Sequence, residues 1–285
     1  MRGAATFSEP VTSNRQITNK KSKKMKARQY LICSVLMMAA ALGMTSCVMT
    51  CDRPLPGDQI VEMRKHRGFE RVEISGSPTV VYTQADTFGV RVEGPEKMVE
   101  NIMTEVDDKT LRVYNKGRVS FKFGVVNLNW GDKDDVTVYV SSPDLISVRL
   151  KGSGDFFSRK PVDTDVMNIT LRGSGNIEFE SIICDDCTTE LVGSGDIDIN
   201  HLDGRTSTAV LIGSGDININ EANVRETDLS LRGSGDIAVN FEEGCQSAQC
   251  QLSGSGDITL SGSLMHFDFK KSGSGDIDTD DLRVK

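Results

Sequence analysis

The sequence predicts an all-β protein, a parallel β-helix-like solenoid of about 20 residues per coil preceded by a β-rich capping region. Three observations predict it. First, the phrase Gly152-Ser153-Gly154-Asp155 returns as Gly173-Ser174-Gly175-Asn176 and then, as Gly-Ser-Gly-Asp, at Gly193, Gly213, Gly233, Gly254 and Gly273. The steps between first glycines are 21, 20, 20, 20, 21 and 19 residues, a nearly fixed period in which each unit is stable only against its neighbours. Second, the flanking residues alternate with a period of two. Leu150, Leu171, Leu191, Leu211, Leu231 and Leu252 stand two before the first glycine, and Ile197/Ile199, Ile217/Ile219, Ile237/Val239 and Ile258/Leu260 stand four and six after it. These positions share one parity and point to the same side of an extended chain. Third, glycine takes the inward parity at the corner, where a side chain would crowd the turn. Nothing recurs at three and four, and interior glycines would weaken a helix.

Taken in order, residues 1–24 are polar and end in Lys20, Lys21, Lys23 and Lys24, which reads as a leader or an over-extended start. Residues 25–47 have the form of a signal peptide: Lys26 and Arg28 follow Met25, then an apolar stretch runs from Leu31 to Met44. That stretch is short for a membrane-spanning helix. Its end, Met44-Thr45-Ser46-Cys47, resembles the lipobox of bacterial lipoproteins, which makes Cys47 the expected site of lipidation. Cys51, preceded by Met49 and Thr50, is a poorer candidate. A lipid on Cys47 would attach the protein peripherally to a membrane. Met49, two after Cys47, is not the aspartate that resembles an inner-membrane retention signal, so the expected location is the cell envelope at the outer membrane, facing either the periplasm or the medium. Residues 48–66, with Pro54, Pro56 and Gly57, read as a spacer.

Residues 67–144 form the expected cap. Val72/Ile74, Val80/Tyr82, Val90/Val92, Leu111–Tyr114, Phe121–Phe123 and Val136–Val140 read as strands, Glu96–Met103 as a short helix, and Trp130 as an aromatic loop tip. Gly76-Ser77-Pro78 echoes the repeated phrase. The predicted role is a sheet over the first coil, because an open coil exposes apolar side chains and unpaired strand edges. Residues 145–285 form the solenoid, with Leu145–Leu150 leading straight into the first phrase.

Phe69-Glu70-Arg71-Val72-Glu73-Ile74, Val90-Arg91-Val92-Glu93-Gly94, and Leu145–Leu150 running into Gly152-Ser153-Gly154-Asp155 together resemble the family described as "putative auto-transporter adhesin, head GIN domain", over roughly residues 66–285. The resemblance implies a secreted or lipidated bacterial protein with a β-coil architecture in two parts. It implies no established activity and carries no catalytic residues. The cysteines within the coils and the basic leader before Met25 depart from it.

Composition narrows the chemistry. The formal charge is -8, and Lys and Arg are scattered beyond the first thirty positions, which argues against nucleic acid as a partner. His66, His201 and His266 fall at unrelated positions and do not converge on a metal. Serine and aspartate recur for structural reasons, so no catalytic triad can be read from them. The pairs Cys184/Cys187 and Cys245/Cys250 are candidates for local disulfides in an exported protein, with Cys250 also at an inward position. Asp155, Asn176, Asp196, Asp216, Asp236, Asp257 and Asp276 form an outward column, in which each aspartate is expected to accept hydrogen bonds from its own turn. Asn200, Asn220 and Asn240 predict an amide ladder between coils. Just before the phrase, Lys151, Arg172, Val192, Ile212 and Arg232 form an outward strip, apolar in the middle and basic at its flanks, which is the expected contact surface.

The function expected from these features is that of a non-enzymatic envelope lipoprotein, a scaffold or adhesin-like binding module. It has no cofactor, and an envelope protein, a glycan or a second copy of itself serves as partner. The alternatives are a carbohydrate-active enzyme and a calcium-modulated glycan-binding protein on the same fold; calcium is expected to be dispensable for folding.

Overall fold

The computed structural model describes residues 59–116 and 136–285. Cys47 with its signal stretch, the leader, most of the spacer, Phe121–Phe123 and Trp130 lie outside the described residues. Strand β1 (Gln59–Arg64) precedes β2 (Arg71–Gly76), β3 (Thr79–Gln84) and β4 (Gly89–Pro95). After helix α1 (Glu96–Val99) come β5 (Ile102–Asp107), β6 (Thr110–Asn115) and β7 (Thr137–Ser142). The expected helix therefore stops at Val99. Ile102 onward joins a hairpin with β6 whose turn, Asp108-Lys109, holds φ of 44° and 57°, as a two-residue hairpin connection requires.

The repeats follow as β8 (Ser147–Gly152), β9 (Asp155–Ser158), β10 (Val162–Asp163), β11 (Val166–Gly173) and β12 (Asn176–Phe179). Next are β13 (Ile182–Gly193), β14 (Asp196–Gly213), β15 (Asp216–Ala222), β16 (Glu226–Gly233) and β17 (Asp236–Phe241). The last four are β18 (Ser247–Gly254), β19 (Ile258–Leu264), β20 (His266–Gly273) and β21 (Ile277–Val284).

Strands that approach the glycine corner stack in parallel in the order β2, β8, β11, β13, β14, β16, β18, β20. Strands that leave it stack as β3, β9, β12, β14, β15, β17, β19, β21. The fold is a β-solenoid of repeats about 20 residues long, capped by a mixed sheet. Part of the cap is itself a coil: β2 and β3 pair in parallel register with β8 and β9, and Gly76 sits opposite Gly152. Beyond it, parallel β6 is closed by antiparallel β5, and parallel β7 by antiparallel β4 and then β1.

The leucines of the repeat stack directly on one another inside the coil, from Leu150 through Leu171, Leu191, Leu211 and Leu231 to Leu252, all buried. Near the cap the interior is filled by aromatic rings; Tyr82, Phe156 and Phe179 follow one another with centroids 6.3 Å and 5.2 Å apart. The corner shows why glycine is required. Gly213 holds φ +141°, and a Cβ there would lie 2.1 Å from the Gly193 carbonyl oxygen. The next amide, Ser214 N–H, donates to that same oxygen at 2.9 Å. At the other end the leucine column closes on Lys271, opposite Leu252 and ion-paired with Asp276. Phe269, inward by register, is 59% exposed there, because among the described residues no further strand stacks on β20. Among the described residues no helix is long and apolar enough to cross a membrane.

Candidate functional site

The outward columns run in register. Asp155, Asn176, Asp196, Asp216 and Asp236 are successive cross-strand partners. Their hydrogen bonding differs from the expected closure of each turn on itself. The Asp216 carboxylate accepts from Asp236 N–H at 3.2 Å, Asp236 from Asp257 N–H at 2.9 Å, and Asp257 from Asp276 N–H at 2.6 Å. Each carboxylate thus satisfies the amide of the coil above, so the column ties coils together. Asn176 donates its side-chain amide to Asp155 at 2.9 Å, which interrupts the row of charges. Asp155 is buried rather than solvent-facing. Burial raises the pKa of Asp196, and the neighbouring Asp216 charge adds to the rise.

The asparagines do not form a side-chain ladder. The Asn220 amide donates to the Asn200 backbone carbonyl at 2.9 Å, and the Asn240 side chain accepts from the Ser261 hydroxyl at 3.0 Å. A register shift after Ile199 displaces the column there. Lys151, Arg172, Val192, Ile212 and Arg232 are successive partners along the approach sheet. Ile212 is 38% exposed. Lys151 binds the Glu73 carboxylate at 3.0 Å and Arg172 binds Glu190 at 2.9 Å, so part of the basic flank is already engaged.

The interior holds a polar cluster that the sequence reading missed. Glu221 is 0% exposed. It occupies a column whose neighbours on either side are Leu202 and Phe241. Its Oε2 accepts from the Thr227 hydroxyl at 2.5 Å and it is also bonded to Ser207, while Oε1 is buried with no partner. Burial pushes its carboxyl up to about 7 against the two hydroxyl bonds. Cys187, Ser207 and Thr227 are stacked partners facing it.

Cys184, Cys187, Cys245 and Cys250 are all buried free thiols in this structure, so neither expected local disulfide is formed. Burial pushes Cys245 up to about 11 and Cys250 up to about 12. Cys184 and Cys187 perturb one another's proton affinity, and the Cys187 Sγ meets the Thr189 hydroxyl at 4.0 Å. His66 meets Thr104 at 2.9 Å and His201 meets Glu242 at 3.4 Å, at separate places on the surface. Among the described residues no three His, Cys, Asp or Glu side chains converge as a metal site.

The profile of the family described as "Putative auto-transporter adhesin, head GIN domain" matches residues 68–247, from just before β2 into β18. The chain belongs to this family. Comparison with curated proteins finds no match. The head GIN domain is similar to a solved "putative adhesin" from Bacteroides fragilis, at 25% identity and TM-score 0.63, over 78% of this chain and 98% of that one. It shares its fold with a "putative lipid binding protein" from Parabacteroides distasonis, at 24% identity and TM-score 0.56, over 80% of this chain and 98% of that one. It also shares it with a "putative adhesin" from Parabacteroides merdae, at 18% identity and TM-score 0.56, over 81% and 99%.

Within this GIN domain, the signal that would have found Glu221 lies in the columns themselves. Aligning Leu202, Glu221 and Phe241 shows a lone acid in an apolar row. The register shift after Ile199 hides it, because Leu202 stands nine after its first glycine and Glu221 eight after its own.

Proposed function

We propose that this GIN domain is a lipid-anchored component of the bacterial cell envelope that acts as a scaffold or adhesin-like binding module, without catalysis of its own. The observation that carries the reading is the in-register surface column Lys151–Arg172–Val192–Ile212–Arg232 on a stack whose glycine corners allow no cleft between coils. Rows of repeated side chains at about 4.8 Å spacing suit recognition of an extended partner, either an envelope protein or a glycan. The similarity to a solved protein described as an adhesin supports the same reading. Calcium stays outside it: each carboxylate of the aspartate column from Asp216 to Asp257 already accepts an amide of the next coil.

The experiment has two arms. Purified protein is screened against envelope fractions and polysaccharides for binding and for turnover. Retention that weakens on Ile212→Asp, with no product released, is the expected result; turnover abolished by neutralising one carboxylate would establish an enzyme instead. Cells expressing the native protein and Cys47→Ala are labelled with a fatty-acid analogue. Label on the native form alone is expected, and equal soluble export of both without label would mean a cleaved, unlipidated signal.

A further inference from the structure

Cys184 and Cys187 are an odd number of residues apart, so on a straight strand they would face opposite sides. Both face inward here, at 7% and 2% exposure, because two consecutive residues between them, Asp185 and Asp186, turn outward. The amides of both aspartates converge on one acceptor, the Asp165 carbonyl, at 3.0 Å and 3.4 Å. The bulge puts the two thiols on the same inward side, close enough for each to perturb the other's proton, and the Cys187 Sγ also meets the Thr189 hydroxyl at 4.0 Å.

Their surroundings differ. Cys184 pairs in the stack with Gly204, which has no side chain to cover it, and it borders a surface groove lined also by Asp185, Asp203, Arg205 and Arg225. On its other side is Thr164, whose Oγ1 is buried without a partner. Cys187 lies behind, opposite Ser207, and Ser207 is bonded to the Glu221 carboxyl with its unpaired Oε1.

We infer that Cys184 and Cys187 are a thiol–disulfide switch in the β13 bulge, worked by exchange with a disulfide-bearing molecule at the groove, with Glu221 taking the Cys187 proton through Ser207. In the first step the Cys184 thiolate attacks one sulfur of the incoming disulfide. That S–S bond breaks, the departing thiolate takes up the proton Cys184 has lost, and a mixed disulfide remains on Cys184. In the second step Cys187 passes its proton to the Ser207 oxygen as Ser207 passes its own to Glu221. The Cys187 sulfur then attacks the Cys184 sulfur, the mixed bond breaks, and the second thiolate leaves and takes a proton from solvent, to which Glu221 later releases the one it received. The two protein thiols are oxidised to one disulfide, and the incoming disulfide is reduced to two thiols.

The division of labour has electrostatic support. The neighbouring Cys187 thiol holds the Cys184 thiol below its ordinary value, while Cys184 in turn and burial push Cys187 up. The first thiol is therefore the better attacking group and the second needs a base. The titratable groups that sense the Glu221 charge are the thiols of Cys187, Cys245 and Cys250, with the Glu242 carboxylate beside Cys245 and Asp228 beside Cys250. Asp185 and Asp186 are the charges that raise Cys184 against the effect of Cys187.

The test equilibrates the full-length protein in glutathione buffers of graded oxidised-to-reduced ratio, quenches in acid, alkylates the remaining thiols and maps them by peptide mass spectrometry. A reversible Cys184–Cys187 disulfide is expected, with Cys245 and Cys250 still thiols. Cys187→Ser should accumulate glutathione on Cys184, whereas Cys184→Ser should leave Cys187 modified at least about ten-fold more slowly. Glu221→Gln should slow closure of the mixed disulfide about ten-fold and flatten its pH dependence between about pH 6 and pH 8. If either cysteine variant does not fold, alkylation rates in the unaltered protein decide, with Cys184 expected to react first by about ten-fold. Thiols that resist glutathione at every ratio until the protein is unfolded, or that react at equal rates, would overturn the switch. An unchanged pH profile in Glu221→Gln would remove Glu221 from it.

Discussion

Glu221 puts a protonation equilibrium inside a largely apolar interior. Its folded pKa of about 7 stands above the ordinary carboxyl value of 4.5, so the folded state holds the proton more tightly than the unfolded chain does. The stability this contributes is complete below the unfolded value and is lost as pH rises through about 7. The shift corresponds to about 3 kcal/mol between the two limits. The unfolding midpoint should therefore fall between pH 5 and pH 8, and the fall should shrink by about that amount in Glu221→Gln, which keeps an acceptor for Thr227. A fall in the denaturant midpoint from pH 5 to pH 8 that is as large in Glu221→Gln as in the unaltered protein would show that Glu221 is not the titrating group. The corner glycines give a second test at this scale. Gly213→Ala brings a Cβ to 2.1 Å from backbone that cannot retreat, and should cost about 3 kcal/mol or more. Gly68, at φ +72°, has nothing within 4 Å of an added Cβ; Gly68→Ala should cost only the conformational strain of about 1 kcal/mol. Equal losses in chemical denaturation would mean that steric contact is not what the corner enforces.

An element in this fold is a row across coils as much as a strand along the chain. Asp216 serves its row in two opposed ways: it accepts the Asp236 amide and adds charge beside Asp196. Asp216→Asn keeps an acceptor and removes the repulsion, so stability should hold or rise by about 0.5 kcal/mol. Asp216→Ala leaves the Asp236 N–H only its bond to the Gly215 carbonyl, at 3.3 Å, and should lose about 0.5 kcal/mol. Thermal unfolding of the pair separates the two contributions, and a loss in Asp216→Asn as large as in Asp216→Ala would show that the charge itself is needed. Rows of this kind were legible in the sequence wherever the period stayed in phase. The leucine column and the strands around Val72, Val80, Val90 and Leu111 follow directly from alternation and from the repeated phrase. Three things were not legible. A carboxylate reaching the next coil instead of its own turn is a matter of where the neighbouring amide points, which one period cannot show. The Asn200–Asn240 row breaks because a one-residue bulge turns side chains against backbone. The helix after Pro95 is cut to one turn by the β5–β6 hairpin, whose pairing partner lies further along the chain.

For the whole molecule, each coil touches only the coil on either side, so local damage should propagate according to position. Gly213→Ala, in the middle, should raise amide hydrogen exchange in coils on both sides. Gly273→Ala, with a Cβ 2.1 Å from the Gly254 carbonyl oxygen, should loosen β20 and β21 and leave the leucine column from Leu150 to Leu231 protected. Uniform exchange in both variants would mean that the solenoid opens as one cooperative block.

Lys271 has a consequence for how such a molecule can change size. Each coil from β8 to β18 offers its successor the same leucine and the same glycine carbonyl, while β20 offers a lysine held by Asp276. The antiparallel strands β1 and β5 finish the opposite end. A duplicated coil can therefore be spliced in anywhere between β8 and β18 without disturbing either terminus. One added after β20 would have to stack on a charge. Among the described residues, the coils between β8 and β18 are interchangeable in what they offer a neighbour, and β20 is not.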